Sequence, residues 1–280
     1  MIWLIGNKGM LGSEVELLLK GRSYTASDKE IDITNIDVLK NFVKDKNIEW
    51  IINCSSYTAV DKAEEEIEQA FAINSMGVFN LAEIAYRNGI KLIHISTDYV
   101  FDGEIETKYH ENSTPNPINV YGDSKLEGEK NIRRILTEFY IIRTAWLYGK
   151  NGNNFVNTML RLFKEKDSIN VVNDQFGSPT YTKDLAGVII DIIDTNYEYG
   201  IYHYTNEGKI TWYEFAKEIC NLANADIIIN PITTNEYPTK AKRPKNSYLS
   251  KDKIKQYVRI KDWKESLENY IKEVKIKKGN

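Results

Sequence analysis

The fold is decided by the first twenty residues, MIWLIGNKGMLGSEVELLLK (residues 1–20). A short apolar run leads into three glycines spaced three apart, Gly6, Gly9 and Gly12, and a helical pattern starts at once. Glycines permit a tight turn and close backbone approach to a phosphate, while a helix N-terminus presents free N–H groups to an anion. The stretch predicts a strand, a phosphate-binding turn and a helix, as in dinucleotide-binding folds. A tight turn without a ligand is the alternative.

Further along the chain, short apolar runs alternate with helical patterns. The runs, all interpreted as strands, are MIWLI, SYTAS, IEWIINC, KLIHIS, FYIIRTAW and INVVN. Continuous runs rich in β-branched residues and separated by helices are typical of a parallel sheet buried on both faces. Because crossover connections are right-handed, the pattern predicts an α/β fold of the Rossmann type, a doubly wound parallel sheet.

The pattern becomes less regular after about residue 145, where Gly, Asn and Pro accumulate. We expect residues 1–150 to form a dinucleotide-binding domain that also receives parts of 165–205. Residues 151–280 would form mainly a smaller C-terminal substrate-binding lobe. Ligands of open α/β sheets bind outside the carboxyl ends of the strands, so this lobe would supply the second wall of the site.

Composition limits the class of function. The chain has 280 residues, 42% of them hydrophobic, a net charge of −3 and a pI of about 5.8, which does not indicate a nucleic-acid partner. Two cysteines and three histidines without ligand spacing predict no metal site. No apolar run approaches the ~20 residues of a membrane span, and no signal-peptide pattern opens the chain. We therefore expect a soluble, cytoplasmic protein with no membrane partner.

A tyrosine and a lysine stand four positions apart in NVYGDSKLEGE (residues 119–129). On a helix, Tyr121 and Lys125 would lie on one face and could share a ligand. A nearby ammonium favours the phenolate, so we expect Lys125 to lower the pKa of Tyr121. Such a phenol can exchange a proton with a carbonyl or alcohol oxygen. Taken alone, such a pair is usually an ordinary part of a helix surface, and it indicates a site only if the rest of a redox site is present.

The choice of dinucleotide depends on the end of the second predicted strand. Asp28 follows SYTAS, sixteen residues after Gly12, near where an acid usually meets the adenosine ribose. This favours NADH, whereas the nearby Arg22 and Lys29 would suit the 2′-phosphate of NADPH. The predicted cofactor is NADH or NADPH.

Several longer motifs narrow the interpretation. They are NCSSYTAVDKAE (53–64), STDYVFDG (96–103), NVYGDSKLEGE (119–129), RTAWLYG (143–149), NNFVNTML (153–160), NDQFGSPT (173–180) and RPKNS (243–247). With the glycine spacing and the Tyr-x-x-x-Lys pair, they make nearly the whole chain resemble the dTDP-4-dehydrorhamnose reductases, of the extended short-chain dehydrogenase/reductase superfamily. The resemblance implies that a nicotinamide cofactor reduces the 4-keto group of a nucleotide-linked 6-deoxy sugar, in the synthesis of cell-surface polysaccharide precursors.

The resemblance also implies roles for individual residues. Thr97 would hydrogen-bond the keto oxygen, Tyr121 would donate the proton, and Lys125 would bind the nicotinamide ribose and keep the tyrosine acidic. The residues expected on the substrate side are Thr97, Asp98, Tyr121 and Trp146. The residues expected along the cofactor are Gly6, Gly9, Met10, Leu11, Gly12, Asp28, Asp32, Ile33, Ser56, Tyr57, Thr58 and Lys125.

Some of these residues have plain structural alternatives. Asp98 would serve equally as a turn cap, and Trp146 as a core residue. We expect His94, in an apolar run, to be a hydrogen-bonded strand histidine, and Asn74 to be a helix-kinking or packed polar residue, neither of them a site. The acidic run at 64–68 is interpreted as a solvated helix face, and no metal is assigned, although some relatives form magnesium-bridged dimers. A homodimer is a further expectation.

Two other functions stay open from the sequence. One is a sugar-nucleotide epimerase or dehydratase of the same superfamily, although dehydratases need an acid pair beside the threonine and here Tyr99 follows Asp98. The other is a non-catalytic role, because a regulatory subunit of methionine adenosyltransferase resembles this family and binds a dinucleotide as a partner protein. Steady oxidation of NADH or NADPH with a keto-sugar nucleotide would separate an enzyme from a binding protein.

Overall fold

The computed structural model describes residues 1–195 and 197–276. The strands are β1 (Ile2–Ile5), β2 (Tyr24–Ser27), β3 (Trp50–Asn53), β4 (Lys91–Thr97), β5 (Phe139–Thr144), β6 (Leu147–Tyr148), β7 (Ser168–Val172), β8 (Phe176–Gly177), β9 (Thr180–Tyr181), β10 (Gly200–His203), β11 (Ile210–Thr211) and β12 (Ile228–Ile232). The helices are α1 (Met10–Leu18), α2 (Ile36–Val43), α3 (Val60–Ala63), α4 (Ile67–Phe71), α5 (Val78–Asn88), α6 (Val120–Ile135), α7 (Phe155–Glu165), α8 (Thr182–Thr195), α9 (Trp212–Ala223) and α10 (Trp263–Ile276). A π-helical turn, Ala72–Gly77, joins α4 to α5, and short 3₁₀ turns lie at Asp98–Val100, Thr234–Glu236 and Ile254–Gln256.

A six-stranded sheet in the order β2–β1–β3–β4–β5–β10 forms the centre of the molecule, and every neighbouring pair is parallel. The chain leaves β1 for β2 on one side and returns to β3 on the other. A crevice for a ligand therefore opens at the carboxyl ends of β1 and β3. The predicted doubly wound parallel sheet of the Rossmann type is confirmed.

One predicted strand of this sheet is wrong. INVVN (residues 169–173) does not join the central sheet; β7 pairs only with β12. Its side chains alternate between buried and exposed, as in a strand with a single packed face, whereas β1 and β3 are buried throughout. The sixth central position is filled by β10, which pairs with β5. We missed β10 because it begins with a glycine and ends in Tyr202 and His203, and so lacks a continuous apolar run.

Helices cover both faces of the central sheet. One core cluster packs α1 and α8 against the sheet, through residues such as Val15 and Leu185. The second packs α2, α5 and α6 against the opposite face, through Leu39, Leu81 and Ile132. Helix α6 thus lies directly over the strands and carries its polar residues to their carboxyl ends.

A third cluster forms a smaller lobe from α7, α9, α10 and the two-stranded pairs. The chain enters this lobe after β5, returns to the sheet for α8 and β10, and then leaves again. Our division into residues 1–150 and 151–280 stays an interpretation. Within residues 1–195 and 197–276, no helix combines the length and apolarity needed to cross a bilayer.

Candidate active site

A groove of about 770 Å³ opens at the carboxyl ends of β1, β2 and β3. Eight of the residues predicted to contact the cofactor line it: Gly6, Gly9, Asp28, Asp32, Ile33, Ser56, Tyr57 and Thr58. Each follows one of these strands in the chain, and parallel strands bring their ends to the same edge. The residues predicted from separate motifs therefore lie along one continuous surface.

The glycine turn between β1 and α1 leaves no room for a side chain at Gly6 or Gly12. Gly6 has a φ of +78°, and a Cβ there would lie 2.8 Å from the backbone nitrogen of Ser55. A Cβ on Gly12 would lie 2.0 Å from the Gly6 carbonyl oxygen, so α1 packs directly on the turn. Gly9 is the N-cap of α1 and has no side chain to occupy the first free N–H groups. These N–H groups can receive a pyrophosphate.

Met10, Leu11 and Gly12 do not line the groove with their side chains. Leu11 is buried in the core cluster beside Val15, and Gly12 packs against Gly6. All three lie in the first turn of α1, where backbone N–H groups lack intrahelical acceptors. Leu11 and Gly12 can therefore take part in cofactor binding only through their backbone.

Arg22 is not available to a cofactor phosphate. It precedes β2, at the amino end of the sheet, and forms a bidentate ion pair with Asp194 on α8, at 2.6 and 2.7 Å. Lys29, by contrast, lines the groove next to Asp28. Of the two cations that we considered for a 2′-phosphate, only Lys29 fits. Arg22 is only six residues before Asp28 in the sequence, but strand β2 lies between them and places Arg22 at the opposite end of the sheet from the groove.

Thr97 and Tyr121 meet beside the carboxyl end of β4. Thr97 is the last residue of β4, and its hydroxyl caps the following turn by accepting the Tyr99 N–H at 3.1 Å. Tyr121 stands in the first turn of α6, half-buried, and its ring packs edge-on against Tyr99, with centroids 5.8 Å apart. Asn119 caps α6 by accepting the Gly122 N–H at 2.8 Å, which fixes the helix start just before the tyrosine.

The predicted lowering of the Tyr121 pKa is wrong for this structure. Burial raises the pKa of Tyr121 to about 12, and the nearby Thr97 side chain offsets only part of this rise. The phenol therefore carries its proton at neutral pH. A protonated phenol suits carbonyl reduction, because the carbonyl oxygen needs a proton as the alcohol forms.

Lys125 lies beneath the tyrosine on the same face of α6. It is almost fully buried, and its Nζ donates to the carbonyl oxygen of Ile95 at 2.7 Å. Burial lowers its pKa to about 8, and the carboxylate of Glu129 offsets part of that effect. Lys125 also lies 3.3 Å from the Nε2 atom of His94. His94 is the hydrogen-bonded strand histidine that we expected.

The groove and the helix that carries the tyrosine are joined by Asn74, which lies in the π-helical turn. Its Oδ1 accepts the Ser56 hydroxyl and the Tyr57 N–H, each at 2.8 Å. Its Nδ2 donates to the hydroxyl of Ser124 on α6 at 3.0 Å. The expectation of a packed polar residue is confirmed, and Asn74 fixes the groove wall relative to α6.

Asp98 is a buried carboxyl group that follows Thr97. Its Oδ1 accepts the Thr97 hydroxyl at 3.0 Å, while Oδ2 has no hydrogen-bond partner within the described part of the chain. Burial raises the pKa of Asp98 to about 6, and the Ser247 and Thr97 hydroxyls offset part of the rise. A buried acceptor without a partner is typical of a site that receives a polar ligand.

Trp146 stands just beyond the carboxyl end of β5 with a left-handed φ of +48°. One face of its indole stacks on Trp212, with centroids 3.6 Å apart, and its edge packs against Gly177. The side chain is only half-buried. A left-handed non-glycine residue costs of order 1–3 kcal/mol and is more frequent at functional sites. Trp146 therefore packs against Trp212 and Gly177 and leaves part of its indole exposed.

We expect Asp98→Asn to stabilise the protein at neutral pH. The pKa of about 6 in the folded protein lies above the ordinary aspartate value of 3.8, so the folded state binds the proton more tightly and ionisation opposes folding. The cost is absent below about pH 4, where both states are protonated, and complete above about pH 6. Urea denaturation at pH 7.5 should show a free energy of unfolding that is higher in the variant by roughly 2–3 kcal/mol. This difference should disappear as the pH falls toward 4. An equal or lower stability at pH 7.5 would contradict this account.

Several residues beside the predicted ones were not among the site residues that we predicted. Cys54 and Ser55 line the groove beside the predicted Ser56. Asn53 and His94 form a buried pair next to Lys125. The available signal was a polar residue inside an apolar strand, which indicates a buried partner but does not say which. Within the described residues, no group of three or more His, Cys, Asp and Glu side chains could hold a metal ion.

Comparison with known proteins agrees with this geometry. The family model described as "RmlD substrate binding domain" matches residues 1–276. The dTDP-4-dehydrorhamnose reductase of Aggregatibacter actinomycetemcomitans is 43% identical over 95% of this chain and 96% of its own. The spore coat polysaccharide biosynthesis protein SpsK of Bacillus subtilis is 38% identical over 97% of each chain.

Solved structures give the same result. The crystal structure of a dTDP-4-dehydrorhamnose reductase from Clostridium acetobutylicum is 43% identical, with a TM-score of 0.95 over 98% of this chain and 99% of that one. That of the Bacillus anthracis dTDP-4-dehydrorhamnose reductase, in complex with NADP, is 41% identical, with a TM-score of 0.94 over 97% and 98%. From the glycine turn to the final helix, this chain belongs to the dTDP-4-dehydrorhamnose reductase family.

Proposed function

We propose that this protein reduces the 4-keto group of dTDP-4-dehydrorhamnose to give dTDP-rhamnose, with NADH or NADPH, in the synthesis of cell-surface polysaccharide precursors. The observation that carries the proposal is the meeting of Thr97, Tyr121 and Lys125 at the carboxyl end of β4, next to a groove that begins at the glycine turn. Relatives of this length and identity that are named for the same reaction support it.

The groove suits a dinucleotide on the evidence of its own residues. Added side chains at Gly6 or Gly12 would collide with backbone, and the first N–H groups of α1 face no capping side chain. We propose that the pyrophosphate lies on this turn, the adenosine end lies near Asp28, Asp32 and Ile33, and Lys125 holds the nicotinamide ribose. When bound, the cofactor supplies the hydride, so the chain needs no nucleophile of its own.

The chain's own residues then have complementary tasks. Thr97 and Tyr121 present two hydroxyl groups to the oxygen of the sugar ketone, where negative charge develops during reduction. Tyr121 gives up its proton at the phenolic oxygen, and the nearby Lys125 ammonium stabilises the phenolate that forms. Asp98 and Trp146 form the sugar side of the site, with Asp98 offering an acceptor oxygen to a sugar hydroxyl.

The groove has features that suit NADH and features that suit NADPH. Asp28 at the end of β2 suits the free 2′-hydroxyl of NADH, and Lys29 beside it suits the 2′-phosphate of NADPH. The Bacillus anthracis relative was solved with NADP. We propose that this chain accepts either cofactor.

Neither alternative function is favoured by a feature of the site. A dehydratase needs an acid where Tyr99 stands, and burial raises the pKa of Tyr99 further above its usual value. A non-catalytic dinucleotide-binding subunit has no need of the Thr97, Tyr121 and Lys125 set, which is complete here.

The test is to incubate the purified protein with dTDP-4-dehydrorhamnose and either cofactor, follow the absorbance of the reduced nicotinamide, and identify the sugar by mass spectrometry and NMR. We expect stoichiometric cofactor oxidation and dTDP-rhamnose. Cofactor binding without oxidation would favour the regulatory alternative, and a product epimerised but not reduced would favour an epimerase.

We also propose a cytoplasmic homodimer. Both cysteines are free thiols, as is usual in a reducing compartment. Leu17 and Leu18 on α1 are 50% and 43% exposed, an apolar surface that a second copy of the chain would cover. Sedimentation velocity would test the dimer, and a monomer at micromolar concentration would rule it out.

A further inference from the structure

A buried hydrogen-bonded chain leads from the groove wall to Lys125. Asn53, at the end of β3, and His94, in β4, are both fully buried. The Nδ1 atom of His94 lies 3.0 Å from Nδ2 of Asn53, and its Nε2 atom lies 3.3 Å from Nζ of Lys125. The reaction proposed above gives neither Asn53 nor His94 a task.

The orientation of the Asn53 amide is fixed by its other neighbour. Its Oδ1 accepts the backbone N–H of Ser55 at 3.0 Å and the Ser55 hydroxyl at 2.6 Å. Because a backbone N–H can only donate, the amide oxygen must face Ser55 and the amide nitrogen must face His94. An amide nitrogen is a donor and not an acceptor. The Nδ1 atom of His94 must therefore accept this hydrogen bond.

This acceptor role decides where the imidazole carries its proton. Burial is the main cause that lowers the pKa of His94 well below its usual value, so the ring is neutral and carries one proton. With Nδ1 accepting, that proton sits on Nε2 and points at Lys125. An ammonium group has three donors and no acceptor. If Lys125 were charged, its ammonium and the Nε2–H of His94 would both be donors at this contact, and neither could accept.

An uncharged Lys125 removes the conflict. A neutral amine has a lone pair that accepts from Nε2–H, and it still has hydrogens to donate to the Ile95 carbonyl oxygen at 2.7 Å. Every contact in the sequence Ser55 to Asn53 to His94 to Lys125 then pairs one donor with one acceptor. In the described structure, only this assignment of hydrogens satisfies all of them.

We propose that His94 is a positioning residue that favours the uncharged amine form of Lys125 in the cofactor-free protein, through a hydrogen bond from Nε2–H to Nζ. The inference deepens the proposed function, and its meaning for catalysis depends on that function. Negative charge that arises on the neighbouring Tyr121 oxygen during reduction favours the ammonium form of Lys125, which stabilises the phenolate.

The other groups around Lys125 are consistent with this assignment. Glu129, one turn along α6, raises the pKa of Lys125, but its two oxygens already accept from the Arg143 guanidinium of β5 at 2.9 and 2.6 Å. The Cys54 thiol of β3 is held protonated, because burial raises its pKa to about 12. Tyr121, on the same helix, is also neutral. Burial is the largest influence, and it lowers the pKa of Lys125 to about 8, so the amine becomes the major form above about pH 8.

The tautomer of His94 can be measured directly. Ring-nitrogen NMR of ¹⁵N-histidine protein distinguishes Nε2–H from Nδ1–H, and with only three histidines in the chain, His110→Gln assists assignment. We expect Nε2–H in the cofactor-free protein. In Asn53→Asp the carboxylate can only accept, so we expect the proton to move to Nδ1. An Nδ1–H tautomer in the unaltered protein would overturn the proposal, whether or not the variant folds.

The charge of Lys125 is tested by titrating its Cε resonance in ¹³C-lysine protein, assigned by its loss in Lys125→Arg. Two variants remove the Asn53 amide that makes His94 Nδ1 an acceptor. Asn53→Asp adds a charge, and Asn53→Leu does not. We expect both to raise the midpoint of Lys125 by at least about one pH unit, while Ser55→Ala, which keeps the backbone donor, leaves it unchanged. A rise in Asn53→Asp alone would be an effect of charge and would overturn the proposal. These measurements need no turnover, so a failed reductase assay would not alter them.

Discussion

Tyr121→Phe is expected to lower turnover by roughly 10²–10⁴-fold, the usual contribution of a positioned general acid. The phenol lies against the Thr97 hydroxyl, and burial raises its pKa to about 12, so it is a fully protonated donor at neutral pH. Phenylalanine keeps the ring and its edge-on contact with Tyr99, and removes only the proton and the hydroxyl oxygen. Cofactor affinity, measured by fluorescence titration, should stay within a few-fold of the unaltered protein.

The matched control is Tyr148→Phe. Tyr148 is fully buried in the smaller lobe, and within the described residues its hydroxyl has no hydrogen-bond partner. The control therefore removes the same hydroxyl oxygen from a buried tyrosine that has no part in the site. We expect turnover close to that of the unaltered protein. If Tyr121→Phe retained comparable turnover, Tyr121 would have to be removed from the mechanism.

The second large effect concerns stability. Arg143→Met should cost about 3–5 kcal/mol in the free energy of unfolding, the usual result of removing one partner of a buried ion pair. Arg143 and Glu129 are each 1% exposed, and two hydrogen bonds of 2.9 and 2.6 Å join β5 to α6. Without the guanidinium, a carboxylate is left uncompensated beneath the helix that carries Tyr121 and Lys125. Urea denaturation at neutral pH measures the loss.

A double variant separates charge from packing. Adding Glu129→Gln to Arg143→Met removes the uncompensated charge and keeps an oxygen for the Ser96 hydroxyl, which donates to Glu129 at 2.5 Å. We expect the double variant to regain at least about 1 kcal/mol over the single one. If the single variant lost less than about 1 kcal/mol, the pair would not be an important link between β5 and α6.

The sequence predicted those parts of the site in which local chemistry decides the geometry. The three glycines define the turn because close backbone contacts at Gly6 and Gly12 exclude any side chain. The four-residue interval from Tyr121 to Lys125 places both on one helix face without reference to the rest of the chain. The same reasoning located Thr97 at a strand end.

Features that depend on distant partners were not predictable in this way. Arg22 was considered for a phosphate because of its sequence distance to Asp28, but its partner Asp194 is 172 residues away. The Tyr121 pKa is raised and not lowered because burial, which the sequence does not show, is its largest influence. The tautomer of His94 depends on Asn53, 41 residues earlier, which itself depends on Ser55.

The position of β10 has a consequence for synthesis of the chain. The edge of the central sheet next to β5 is completed only by Gly200–His203, after the polypeptide has already passed through α7 and β7 of the smaller lobe. A ribosome adds about 5–20 residues per second, so the sheet lacks its last strand for roughly the first 10–40 s of translation. Until then β5 has an open hydrogen-bonding edge in the nascent chain, and the amino-terminal half cannot finish folding before the carboxyl-terminal half has begun to emerge.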